Sequence, residues 1–182
     1  DGHLTASQAL DYIAAGLAIV SVFDAAQQGN TGTEVGYDPR LFEEPESLLH
    51  TLAYSNGATD GRAAHDAAKA VGQPAGTAIY FEINADVTAG IAFVLDYFRG
   101  VAEGLAQAAG GSAAYRVGVY GSGFVIDSVY DAGLADLKWL ASPPAWQGTD
   151  GYADYDLRET VLSGDATLTG AALRADDVTA AR

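Results

Sequence analysis

The residues best suited to chemistry lie in Ile79-Tyr80-Phe81-Glu82-Ile83-Asn84-Ala85-Asp86. An apolar, β-prone run passes directly into acids there. Glu82, Asn84 and Asp86 alternate, so in an extended chain they share one face. Residues two apart on a strand have Cα atoms about 6.5–7 Å apart. Retaining glycosidases place their two carboxyl groups about 5–5.5 Å apart, and inverting ones about 6.5–9.5 Å. Side chains converge or splay, so the spacing fits either geometry. Glu82, beside Tyr80 and Phe81, is the candidate general acid, because desolvation favours the protonated form of a carboxyl group. Asp24 and Asp86 are candidates for the base or an electrostatic partner. Asn84 exchanges no proton at neutral pH, but its amide can orient a water or an acetamido group. Hydrolysis assisted by the substrate's own N-acetyl group needs one strong acid and such an orienting group. The plainer reading is that Glu82 and Asp86 are solvated residues at a strand end. Tyr120, Trp139, Trp146 and Tyr152 are candidates for stacking on sugar rings, with core or loop packing as the alternative.

Other motifs carry less. His3, His50 and His65 have no metal-ligand spacing, so neither a metal site nor a cofactor is expected. Gly121-Ser122-Gly123 could cradle an anion at a helix start. It lacks the lysine of a phosphate-binding loop, and a tight strand-to-helix turn is the preferred reading. Ser122 is flanked directly by glycines, which is not the spacing of a nucleophile elbow.

Bulk properties narrow the classes. The chain has 182 residues, which suits one domain over 1–182. Nine basic and 24 acidic residues give a net charge of −15, which repels phosphate backbones and anionic membranes. Nucleic acid is excluded as an expected partner on that ground. There is no cysteine, so disulfides and thiolate chemistry are out. No apolar run approaches the ~18 residues of a membrane span. There is no methionine, even at position 1, which leads us to expect a processed or truncated start. Nothing in the sequence sets an oligomeric state.

The elements that must position the candidates follow a grammar of helix, glycine, strand. Thr5 and Gln8 form a capping box ahead of a helix carrying Leu10, Ile13 and Leu17. Leu17–Phe23 reads as a buried parallel strand ending at Asp24. Residues 29–57 are irregular, with acids at Glu43, Glu44 and Glu46. Pro45 could open a short helix bearing Leu48, Leu49 and Leu52. Asp60 is the expected cap of a helix to Val71, and Thr88 that of a helix carrying Ile91, Val94, Phe98, Val101 and Leu105. Strands are expected at Ile79, over Tyr115–Tyr120, over Leu137–Ala141 and over Tyr152–Leu157. A helix from Phe124 to about Ala132 stops at Gly133. Such alternation demands a parallel sheet with helical crossovers.

Several pieces of this pattern resemble a known family. They are Ala67-Ala68-Lys69, Gly72-Gln73-Pro74 leading to Ile79-Tyr80-Phe81, Tyr97-Phe98, Gly118-Val119-Tyr120-Gly121-Ser122-Gly123 and Trp139-Leu140-Ala141. Leu4-Thr5 through Gly16-Leu17 adds to them. The chain resembles the glycoside-hydrolase-like domain of unknown function of secreted bacterial proteins, which is distantly similar to the glycoside hydrolase family 25 lysozymes. The resemblance implies an α/β fold of the TIM-barrel-like (β/α) type, lacking its first strands in this chain, with its site at the strands' C-terminal ends. It implies secretion or cell-envelope association and a cell-wall polysaccharide of the peptidoglycan type as partner. Asn84 stands where the family pattern carries an acid. A non-catalytic carbohydrate-binding domain with a degenerate site is therefore the alternative to a hydrolase. An open doubly wound sheet binding a nucleotide is a third, and no phosphate motif supports it.

Overall fold

The computed structural model describes residues 4–23, 52–160 and 177–180. Asp24, His3, His50 and the segment around Pro45 lie outside the described residues. The strands are β1 (Ser21–Phe23), β2 (Ala78–Glu82), β3 (Arg116–Gly121), β4 (Leu137–Leu140), β5 (Leu157–Thr160) and β6 (Asp177–Ala180). The described helices are α1 (Ala6–Ala14), α2 (Tyr54–Ala70), α3 (Ile91–Ala108) and α4 (Gly123–Asp131). The sheet runs β1-β2-β3-β4-β5-β6 in sequence order. Pairing is parallel from β1 through β5, and β6 returns antiparallel. Each parallel step therefore advances one strand in the same direction. This gives a curled five-stranded parallel sheet, half of a barrel, with helices on its outer face.

Two side-chain populations occupy the two faces. Ile79, Phe81, Val117, Val119 and Leu140 join the buried core under the helices, with Val94, Phe98, Val101 and Leu105 from α3. Burying each such side chain stabilises the fold by about 2 kcal/mol. Alternate strand positions put Tyr80, Tyr120, Trp139 and Leu157 in a second cluster on the inner face. Gly118 pairs with Tyr80, and a Cβ there would lie 2.4 Å from the Tyr80 ring. The missing side chain is what lets that ring lie flat across β3.

α2 and α3 meet backbone to backbone. Gly57 and Gly61 on α2 face Gly100 and Gly104 on α3, four residues apart on each helix. A Cβ on Gly57 or Gly100 would sit 2.0 Å from the carbonyl oxygen of Tyr97 or Tyr54, respectively. This contact explains a difference from the sequence expectation. α2 begins at Tyr54 rather than after Asp60, although Gly57 and Gly61 lower helix propensity. Close packing compensates for that loss. Asp60 is thus a buried mid-helix residue rather than a cap, and Tyr97 Oη donates to its Oδ2 at 2.9 Å.

Other boundaries also differ. The capping box of α1 is present, with Thr5 Oγ1 accepting from Gln8 N–H and the Gln8 side chain accepting from Thr5 N–H. The expected strand from Leu17 shrinks to Ser21–Phe23, the three residues that pair with β2 among the described residues. Leu10, Ile13, Leu17, Val20 and Val22 remain exposed on that edge. α3 is capped by Gly90 in a left-handed conformation rather than by Thr88. The expected Tyr152–Leu157 strand instead covers Leu157–Thr160.

Gly100→Ala is expected to cost about 2 kcal/mol through backbone overlap, lowering the melting temperature by roughly 5 °C. An unchanged melting curve would show that the helices are not in backbone contact. Burial raises the Asp60 carboxyl above the ordinary carboxylate range, and the Tyr97 hydrogen bond opposes it only in part. With the folded pKa above the unfolded one, this residue's contribution is greatest in acid and is lost as pH rises through the folded value. Asp60→Asn should therefore be more stable than the parent at pH 7 in denaturant melts. That gain should fade as pH drops towards about 4, the ordinary Asp range. A gain independent of pH would show that Asp60 does not titrate in the fold.

Candidate functional site

The candidate site follows from the strand alternation. Within β2, Ile79 and Phe81 enter the helix-facing core, so Ala78, Tyr80 and Glu82 point to the inner face. Glu82 is the last residue of β2 and pairs in register with Tyr120. Tyr120 pairs with Trp139, and Trp139 with Leu157. One layer across the inner face therefore reads Glu82, Tyr120, Trp139, Leu157, running from the C-terminal end of β2 to the start of β5. Trp139 stands edge-on to both Tyr80 and Tyr120, with ring centroids 5.4 and 5.3 Å away. These are favourable aromatic geometries. Burial, with Asp156 adding and Arg116 opposing, pushes the Tyr80 phenol up to about 12, so it stays neutral at physiological pH.

A second carboxylate enters this layer from β5. Leu157 belongs to the inner face, so Glu159, two residues on, does too. Glu159 Oε2 accepts from Tyr120 Oη at 2.8 Å and from Ser142 N–H at 2.9 Å. Sequence reasoning missed this residue because it ended the last strand at Leu157. The alternation Leu157-Arg158-Glu159 was the available signal.

The remaining candidates separate. Trp146 packs half-buried against the inner-face cluster. Asp86 lies on the loop after β2, where its Oδ1 accepts from Gln147 N–H at 2.8 Å. It thereby fixes the loop that carries Trp146. Asn84 is exposed beyond the strand end. Tyr152 lies on the helix-facing side, hydrogen-bonded to Asp127 and to Lys138 Nζ. Lys138 also reaches Asp127 at 3.0 Å and Asp154 at 2.6 Å. Burial disfavours its charge, but the hydrogen bonds to Asp154, Asp127 and Tyr152 outweigh it and hold its pKa above the ordinary lysine value. Burial and Asp127 push the Tyr152 phenol up to about 12. The structure thus brings Glu82, Tyr120, Trp139 and Trp146 together, ties Asp86 to their rim, and sets Tyr152 apart.

The Gly121-Ser122-Gly123 turn leaves no free anion cradle. Ser122 Oγ caps α4 by accepting from Val125 N–H. Gly123 N–H donates to Thr149 Oγ1 and Phe124 N–H to the Gln147 carbonyl. The first amides of the helix are therefore already occupied. Among the described residues no cluster of His, Asp and Glu could hold a metal.

Residues 1–173 match the family described as Rv2525c-like, glycoside hydrolase-like domain. The chain belongs to this family. Among solved structures it is similar to the Mycobacterium tuberculosis Tat-secreted protein Rv2525c in complex with HEPES. That likeness has 21% identity and a TM-score of 0.59, covering 86% of this chain and 66% of that one. The same protein in complex with L-tartrate matches at 21% identity and a TM-score of 0.55, covering 86% and 65%. The chain thus spans about two thirds of the length of those structures, and at this identity the likeness establishes the fold. No curated relative matches. No described helix of this Rv2525c-like domain is long and apolar enough to cross a membrane.

In this glycoside hydrolase-like domain the Asp86–Gln147 bond should hold Trp146 against the inner-face aromatics. Asp86→Ala is expected to cost about 1 kcal/mol and to shift tryptophan emission to the red. Unchanged emission would mean that the loop is held by packing alone.

Proposed function

We propose that this domain acts on cell-wall polysaccharide of the peptidoglycan type, with Glu82 as the general acid. The observation that carries this reading is the position of Glu82. It ends β2 on the inner face, in register with Tyr120 and in the same layer as Trp139. In barrel enzymes the C-terminal ends of strands bear the chemistry. Membership of a glycoside hydrolase-like family agrees with it. Tyr120, Trp139 and Trp146 form an aromatic cluster of the kind that lines sugar sites, with Trp146 its partly exposed member. We read the five parallel strands as part of a TIM-barrel-like (β/α) sheet. We place the protein outside the cytoplasm, secreted or at the cell envelope, because the similar Mycobacterium tuberculosis protein is Tat-secreted.

A specific observation favours a second reading. Asn84 is an exposed amide, and the Asp86 carboxylate is engaged by the Gln147 backbone. Neither is poised as a proton acceptor beside Glu82. A carbohydrate-binding domain that holds glycan without cleaving it fits these two facts. Under both readings Tyr152, on the opposite face, contributes to folding rather than to the ligand.

Release of reducing ends from peptidoglycan and chitin-type glycans, compared between the parent and Glu82→Gln, separates the two. Loss of the general acid is expected to lower turnover by at least about 100-fold. Equal turnover in both proteins would remove Glu82 from the mechanism. Retention of glycan with no turnover in either protein would establish the binding domain.

A further inference from the structure

Trp146 stands at the joint of two turns, in a loop fixed by bonds from several elements. Trp146 N–H donates to the Pro143 carbonyl at 3.1 Å and closes the first turn. Thr149 N–H donates to the Trp146 carbonyl at 3.0 Å and closes the second. Pro143 and Pro144 set φ through the first turn. The loop leaves β4 through Ala141, whose N–H donates to the Gly121 carbonyl. Beyond Trp146 it lies main chain against main chain on the start of α4. A Cβ on Gly123 would come 1.9 Å from the Gly148 carbonyl oxygen. Phe124 N–H also donates to the Gln147 carbonyl there.

Two side chains from elsewhere in the sheet complete this hold, and both are acids. Glu159 Oε2, from β5, accepts from Ser142 N–H at 2.9 Å where the loop begins. Asp86 Oδ1, from the loop after β2, accepts from Gln147 N–H at 2.8 Å, immediately after Trp146. A hydrogen bond from an amide to a carboxylate is stronger than one between neutral groups. Between these two points Trp146 packs half-buried against the inner-face cluster. Tyr120 Oη donates to the same Glu159 oxygen, so one atom serves β3, β5 and the loop. A carboxamide oxygen in that place could accept both bonds, although it could not exchange a proton.

We infer that Glu159 and Asp86 are positioning residues, a two-point clasp that keeps Trp146 as a preformed platform for a sugar ring. This rests on the glycan reading above and names the device by which that site meets its ligand. A platform ordered before binding spares the complex the cost of ordering a loop side chain. The two acids act on affinity through Trp146, by way of the loop backbone that they hold.

The first readout needs no ligand. In protein labelled with fluorotryptophan, the Trp146 fluorine signal is assigned by its loss in Trp146→Phe. Glu159→Ala and Asp86→Ala should each move that signal towards the position of solvated tryptophan. Glu159→Gln and Asp86→Asn keep an acceptor oxygen and should restore it. Asp86 lies on a loop, so its variants carry the test where Glu159→Ala loosens the sheet. An unmoved signal in both alanine variants would overturn the clasp. The second readout is affinity for the N-acetylglucosamine tetramer. Each alanine variant should bind it about fivefold more weakly, the worth of one hydrogen bond. Glu159→Gln and Asp86→Asn should stay within about twofold of the parent. In a Trp146→Ala background the same alanine changes should cost less than about twofold. A fivefold loss that persists without Trp146, or carboxamide variants that fail to restore affinity, would show that the acids meet the ligand themselves and overturn the inference. If the parent binds no tetramer, the glycan reading and the sugar platform fall together, and the fluorine signal alone decides whether the acids hold the loop.

Discussion

The two-residue repeat of a strand is the constraint on which this molecule depends. The central parallel strands β2, β3 and β4 are covered on both faces, but by different chemistry. Outward positions carry Ile79, Phe81, Val119 and Leu140 into a dry core beneath the helices. Inward positions carry Tyr80, Tyr120 and Trp139 into an aromatic layer with acids at its end. A shift of one residue in any pairing would exchange the two sets. Phe81 would then enter the inner face, and Glu82 would be buried under α3. Correct register is therefore a condition of both stability and site.

The helix-facing core holds few polar groups, and most of them have partners, His65 Nδ1 being one left without a hydrogen bond. Asp60 is answered by Tyr97, and Lys138 by two aspartates and a tyrosine. The inner face follows other rules. Its phenols and carboxylate bond one another across strands, so β3 and β5, which are not neighbours, are tied by Tyr120 and Glu159. The same bond that orders the candidate site also braces the sheet against opening. Site and scaffold share atoms here, and a substitution in the layer affects both.

Much of this was legible in the sequence, for physical reasons that can be named. The apolar spacing of α3 and the run at Ile79–Phe81 each have one dominant period, and both elements formed where the period placed them. The turn at Gly121-Ser122-Gly123 was legible as a tight strand-to-helix turn because glycines flank it directly, and Ser122 proves to cap the helix that follows. What escaped was set by contacts between distant segments. Asp60 read as the cap of α2 and the stretch before it as irregular, and only contact with the partner helix makes Gly57 favourable in a helix that starts at Tyr54. Leu17–Val20 looked like strand, yet β-propensity without a paired neighbour does not make a ladder. Glu159 lay two residues past an expected boundary, so the second carboxylate of the layer went unseen. Asp24, expected at the end of β1, lies outside the described residues.

The glycine contact between α2 and α3 sets the order in which the fold loosens. At these four glycines main chain lies against main chain with no Cβ between to repack, and the Asp60–Tyr97 hydrogen bond joins the same helices, so the pair resists separating by small steps. It opens as one cooperative block, and amides on both helices share a single opening free energy. β1 has three paired residues and apolar neighbours facing water, so it occupies the opposite end of that scale. The sheet is thus anchored firmly over β2 and β3, behind the candidate site, and held lightly at its first edge. Native-state hydrogen exchange would resolve this as a slow central unit beside a fast margin. The acids and aromatics of the inner face stand on the slow side.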